Sequence, residues 1–171
     1  MKRLFACLLL LLLTASAQAE QVIEHGGYKL LTFDAPNVEY QSTREGKFTA
    51  TYFLGKVGEG NLRITVKSKG FLTQLDADKR FSADKRDKRE DPGSRITQLL
   101  EVPGALHTLT YSITDPYVGK GITVYTANFR SDILVTGTKE AAAEVEPTYK
   151  HILESLKLVP RTKIGDLKVE E

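Results

Sequence analysis

The chain has 171 residues, with one cysteine, three histidines and no tryptophan, and its 24 Lys and Arg against 22 Asp and Glu leave a net charge of +2. So small a charge gives no broad electrostatic ground for binding nucleic acid or an anionic membrane. A chain of this length suits one domain and can bury about 68–70% of its unfolded surface without covalent staples.

The N-terminus reads as an export signal. Lys2 and Arg3 form a positive start, residues 5–13 are almost purely apolar with leucine at every position from 8 to 13, and Ala17 and Ala19 supply the small residues of an A-x-A motif. The run is far short of the ~20 apolar residues of a membrane-spanning helix. Cleavage is expected between Ala19 and Glu20, releasing the chain to the periplasm or the medium with no stable membrane insertion. Cys7 precedes the leucines, whereas a lipid-modified cysteine follows such a run, so a lipoprotein is not expected. Cleavage removes two of the 24 basic residues, none of the 22 acidic ones and the sole cysteine. No disulfide, thiolate metal site or cysteine nucleophile then remains. The expected division is a signal peptide at 1–19, a single domain at 20–160 and a polar tail at 161–171.

Period-2 alternation dominates the chain beyond the signal and predicts strands. Residues 28–33 form a first strand stopped by Asp34, Ala35 and Pro36, with a short second one at 38–42. His25-Gly26-Gly27 before them reads as a flexible lead-in. Residues 47–54 place Phe48, Ala50, Tyr52 and Leu54 on one face, and 61–68 do the same with Leu62, Ile64 and Val66. The glycine-rich segment 55–60 between them reads as a hairpin loop. Residues 72–91 predict a helix with Asp76 as N-cap and a thin stripe of Ala77, Phe81 and Ala83, ended by Pro92-Gly93. Strands are expected at 95–102, 106–114, 122–129 and 133–137. Pro103-Gly104 suits a type II turn, DPYVGKG (115–121) a loop, and Arg130-Ser131-Asp132 a tight connection. Val145, Tyr149, Ile152, Leu153 and Leu156 then share one face of a helical period. Thr138 could cap that helix. Pro147 implies either a kinked helix from about Lys139 or a regular one starting near Pro147 itself, with Val159-Pro160 as its end. The class is α+β: an antiparallel sheet of about six to seven strands packed with two helices on one or both faces.

No reactive constellation emerges. His25, His107 and His151 are scattered without metal-ligand spacing, no G-x-S-x-G elbow exists, and Asp115 and Asp132 fall at breaker-rich sites where aspartate serves turns. Glycines 55–60 are followed by a strand and no G-K-[ST], so they are no phosphate loop. No catalytic, cofactor or metal residues are assigned, and no cofactor is expected. The run KRFSADKRDKRED (79–91) mixes signs, which favours a solvated helix face with offset pairs such as Arg80–Asp84, Asp84–Lys88 and Arg86–Glu90 over a polyanion surface. Without clustered exposed aromatics, nucleic acid is not expected as a partner.

Phe33-Asp34-Ala35-Pro36 resembles the strand-then-proline opening of the PsbP-like fold. The glycine-linked strands, the charged mid-chain helix and the ending YKHILESLKL (149–158) are similar to bacterial DcrB-like members, over residues 28–159. The resemblance implies a sheet sandwiched by helices and a non-enzymatic binding, accessory or chaperone-like role, and brings no catalytic residues with it. The leading expectation is therefore an exported bacterial binding or accessory protein acting on a protein or small ligand. Two others stand beside it: an envelope hydrolase with a site around His107, Asp115, Tyr117 and Lys120, and a structural assembly partner using an exposed sheet edge.

Overall fold

The computed structural model describes residues 20–70, 73–98, 100–114 and 117–160. The expected signal with Ala19, the polar tail and Asp115 lie outside the described residues. Glu20, the expected first residue after cleavage, opens strand β1 (Glu20–His25). The class is α+β, as expected, but the strands divide between two antiparallel sheets instead of one.

The main sheet has seven described strands in the order β3-β4-β5-β9-β8-β7-β6. They are β3 (Tyr40–Arg44), β4 (Thr49–Val57), β5 (Gly60–Gly70), β6 (Ser94–Ile96), β7 (His107–Ile113), β8 (Val118–Tyr125) and β9 (Phe129–Gly137). A smaller sheet sets β2 (Tyr28–Asp34) between β1 and β10 (Lys157–Leu158). Helix α1 (Gln74–Glu90) crosses one face of the main sheet; α2 (Ala142–Ser155) and the smaller sheet cover the other. No helix among the described residues is long and apolar enough to cross a membrane.

The second sheet comes from a turn at the residues expected to be a flexible lead-in. Gly26 and Gly27 sit at φ 58° and 77°. Two consecutive left-handed residues make the two-residue turn whose twist suits a β-hairpin, so β1 folds back on β2 with His25 opposite Tyr28. Leu31 and Phe33 of β2 and Ile23 of β1 are then fully buried against the main sheet. The C-terminal residues after α2 complete the layer by pairing Lys157 and Leu158 with Thr32 and Leu31.

Between the layers lies the core. Phe53 on β4 meets Phe33 edge-to-face, with ring centroids 5.8 Å apart. Ile64 and Val66 of β5 pair with Val135 and Ile133 of β9, and Val145, Tyr149 and Ile152 of α2 cover them. α2 starts at Ala142, after a single 3₁₀ turn at Lys139–Ala141, and carries Pro147 inside it. Of the two alternatives that Pro147 allows, the chain takes the earlier start. Thr138 does not cap the helix; its hydroxyl accepts from the Asn61 N–H at 3.2 Å. The helix ends at Ser155, ahead of the expected Val159-Pro160, because the chain must extend at Leu156 to reach β2.

Other boundaries differ for similar reasons. The predicted strand 95–102 shrinks to three residues, while Val102 to Ala105 makes the expected turn, with Gly104 at φ 85° and Ala105 N–H bonded to the Val102 carbonyl at 3.0 Å. The β8–β9 connection is at 126–128, not at Arg130-Ser131-Asp132, because the Thr126 hydroxyl accepts from both Asn128 and Phe129 amides. Val118 already belongs to β8, which shortens the expected 115–121 loop. The β4–β5 loop also shortens, with Val57 opposite Gly60.

Ile133, fully buried at the centre of this core, gives a direct stability test. Ile133→Ala is expected to lower the unfolding free energy by about 2–5 kcal/mol in urea titration. A loss under about 1 kcal/mol would mean the two layers do not meet at β9.

Candidate functional site

Register determines what the second face of the main sheet displays. In antiparallel pairing, directly opposed residues share a face. Leu54, Arg63, Thr136, Gly119 and Ile113 therefore form one row across β4, β5, β9, β8 and β7. The next rows carry Tyr52, Thr65 and Leu134, then Lys67, Asp132 and Thr123, then Lys69, Arg130 and Tyr125. Phe48, Ala50, Tyr52 and Leu54 do share a face, as the alternation suggested, but it is this outer one. Phe53 takes the core side, while Phe48 and Leu54 remain 49% and 41% exposed.

Among the described residues only part of the outer face is covered. α1 contacts β6 and β7, at one end of the sheet. Its start is set by Thr73, not by the expected Asp76. The Thr73 hydroxyl accepts from the Asp76 N–H at 3.3 Å, and the Asp76 carboxylate accepts from the Thr73 N–H at 3.1 Å, a reciprocal capping box. Along its 17 residues only Ala77 and Asp84 are buried. So polar a helix gains little from apolar burial, and specific contacts hold it instead.

Asp84 is the main anchor. The charge pattern predicts a solvated face here, yet Asp84 is 5% exposed. The predicted Arg80–Asp84 pair is present at 2.5 Å. From the sheet, the Tyr125 hydroxyl donates to Asp84 at 2.6 Å and Arg130 Nε at 2.7 Å. Phe81, one turn earlier, stacks on His107 at 4.4 Å and meets Tyr125 edge-on at 5.4 Å. His107 Nε2 lies 2.7 Å from Asp78, and Lys88 sits over the Tyr111 ring at 3.7 Å. The expected pair Arg86–Glu90 is replaced by a long contact from Arg86 to Asp87 at 3.8 Å.

Asp132 is the second organising carboxylate, and it is in β9 instead of a turn. It accepts from the Tyr111 hydroxyl at 2.8 Å and from the Thr123 hydroxyl at 2.7 Å. Burial opposes the Arg130 charge, but Asp132 and Asp84 outweigh it and hold the guanidinium protonated. Burial, with the neighbouring carboxylate, pushes both the Tyr111 and Tyr125 phenols upward. Both remain neutral donors.

His107 and Lys120, two described residues of the expected hydrolase site, do not converge. His107 lies on the outer face under α1, whereas Lys120 is on the core side, where it pairs with Glu146 of α2. That contact holds the Glu146 carboxyl below its ordinary range. Tyr117 is 57% exposed at the rim of the outer face. The other histidines are also apart: His25 Nδ1 is 2.8 Å from the Thr49 hydroxyl, and His151 lies on α2 with a buried Nε2 that has no hydrogen-bond partner among the described residues. Among the described residues no cluster of three or more His, Cys, Asp or Glu side chains could hold a metal.

Where α1 stops, the face over β4, β5 and β9 is open among the described residues. It forms two adjoining concavities of about 440 and 410 Å³ that share Lys67 and Asp132. The first runs between Tyr52, Leu54, Leu134, Ile113 and Tyr117; the second between Phe48, Lys69, Arg80 and Arg130. Arg63 lies over the Tyr52 ring at 4.7 Å. The sequence signal for this site was present in the apolar-and-cationic outer alternation of 48–54 and 63–69, but its meaning depended on which face the helix left bare. No family profile, characterised protein or solved structure matches the chain.

Two outcomes test this geometry. Asp84→Ala leaves the half-buried Arg130 and the buried Tyr125 hydroxyl without their partner from α1, and a loss of about 1–3 kcal/mol is expected in urea unfolding. Unchanged stability would mean that α1 is held by something else. At alkaline pH the raised phenols favour the folded state below the unfolded tyrosine pKa of about 10. Stability should therefore be level up to that point and fall as pH climbs towards about 12, the value to which burial pushes Tyr149. Absorbance titration should show Tyr111, Tyr125 and Tyr149 ionising late; full phenolate formation near pH 10 in folded protein would contradict their burial.

Proposed function

We propose that the chain is an exported, non-enzymatic binding or accessory protein that acts through the open half of the outer sheet face. The single observation that carries this reading is the bare face itself. A seven-stranded sheet exposes apolar Leu54 and Tyr117 and half-exposes Tyr52 and Leu134 beside Arg63, Lys67 and Lys69, while one polar helix covers only the far end. Concavities of several hundred Å³ that mix apolar walls with a few convergent polar groups are the usual form of a small-ligand site. Scattered apolar surface needs no explanation, but apolar side chains gathered round one groove do.

The rest of the chain is consistent with that role. The signal-like residues 1–19 support export to the periplasm or medium. The separation of His107 from Lys120 supports binding over hydrolysis, and the resemblance to the PsbP-like fold points to an accessory role.

A thermal-shift screen of chemically diverse small molecules tests the surface without presuming the ligand. Binding to the folded state alone raises stability by about 2.7 kcal/mol at a hundredfold excess over Kd. Leu134→Trp would fill the groove from an outward-facing strand position. Stabilisation by genuine ligands is expected to vanish in Leu134→Trp while its own melting temperature stays near that of the parent. Ligands that still stabilise Leu134→Trp fully would place the binding surface elsewhere.

A further inference from the structure

The open half-face is polarised along its length. β5 runs beneath it from Arg63 to Lys69, six residues of extended chain or about 20 Å. At the Arg63 end the walls are Leu54, Leu134 and Ile113, and the Arg63 guanidinium itself lies over the Tyr52 ring. At the other end stand Lys67, Lys69, Arg80 and Arg130. Those four cations face two carboxylates, Asp84 and Asp132. Asp84 pairs with both arginines, and Asp132 also acts on the charge of Arg130 while accepting two hydroxyls. Lys67 and Lys69 make no ion pair among the described residues. Among the described residues two net positive charges therefore stand towards one end of the groove, while the other end, which also carries the exposed Arg63, is walled by Leu54, Leu134 and Ile113.

We infer that this groove binds a single-chain amphipathic anion: an acyl or aryl body along Leu54, Leu134 and Ile113, and a carboxylate or phosphate head between Lys67 and Lys69. The inference rests on the open half-face being the binding surface. Charge complementarity selects an anion, because a cationic head would meet two unpaired ammonium groups. The apolar end selects a body with surface to bury, at about 25 cal/mol per Å². A small inorganic anion would use only the head end. The concavity selects one molecule at a time, since a bilayer surface cannot enter a groove whose floor is the sheet. Arg130 is not the primary head ligand, because its charge is already matched by Asp84 and Asp132.

Dodecyl phosphate, kept below its micelle-forming concentration, is the probe. Calorimetric titration of the full protein should show binding that inorganic phosphate and dodecyltrimethylammonium do not reproduce. The double variant Lys67→Glu, Lys69→Glu changes two exposed side chains and should weaken the affinity at least tenfold, about 1.4 kcal/mol. Rising salt should weaken it too, because exposed charges are screened. Equal binding of dodecyltrimethylammonium, an unaffected lysine variant, or inorganic phosphate binding as tightly as the dodecyl ester would each overturn the inference. Lysine-dependent sedimentation with phosphatidylglycerol vesicles, without binding of the monomeric probe, would overturn it in favour of a membrane surface. If neutral or cationic compounds are the ones lost in Leu134→Trp, the ligand class is wrong and the surface reading stands. If no compound is lost in Leu134→Trp, both readings fall.

Discussion

A carboxylate buried beneath a helix with almost no apolar face shapes this molecule's second surface. Asp84 draws Arg80 from its own helix and Tyr125 and Arg130 from the sheet into one charge-assisted cluster. Charge-assisted bonds are roughly twice as strong as neutral ones, and removing Asp84 would leave the buried Tyr125 hydroxyl and the half-buried Arg130 without their partner on α1. Such a contact is directional, so α1 is held at one place on the sheet. Apolar packing alone would specify that place less sharply. The position of α1 in turn leaves β4, β5 and β9 uncovered, and the candidate site is what remains.

The two faces of the main sheet are thus finished by different physics. On the inner face, Ile64, Val66, Ile133 and Val135 are buried by α2 and by the β1–β2 hairpin, and area removed from water dominates. On the outer face, tyrosine hydroxyls, carboxylates and guanidinium groups satisfy one another, with Tyr111 and Thr123 donating to Asp132. A polar network of this kind constrains geometry strongly where every member is satisfied. It also leaves Lys67 and Lys69, exposed at the edge of the network, without an ion pair among the described residues.

Much of the element order is legible in the residue pattern alone. Period-2 alternation finds β2, β4, β5, β7, β8 and β9 to within a few residues, and the 145–156 stripe finds the buried face of α2. The misses share a cause. Thr73 and Asp76 compete for the same cap, and the winner depends on where the backbone turns. Asp132 looks like a turn residue because aspartate favours turns, but Thr126 makes the β8–β9 turn instead and leaves Asp132 inside a strand. His25-Gly26-Gly27 looks loose because glycine is permissive, and the same permissiveness makes a tight left-handed turn.

Local chemistry therefore determined the kinds of element, their approximate limits, the α+β class and the alternation that puts Tyr52 and Leu54 with one another and apart from Phe53. Those properties depend on neighbours a few residues away, which any window of the chain contains. Only the tertiary structure decided which face was inner, that the strands split between two sheets, that Asp84 meets Arg130 46 residues later, and that Lys67 and Lys69 stand beside Leu54, Leu134 and Ile113 without an ion pair among the described residues. Each of these depends on long-range register, where slipping a strand by one residue exchanges its two faces, and no local pattern carries that information.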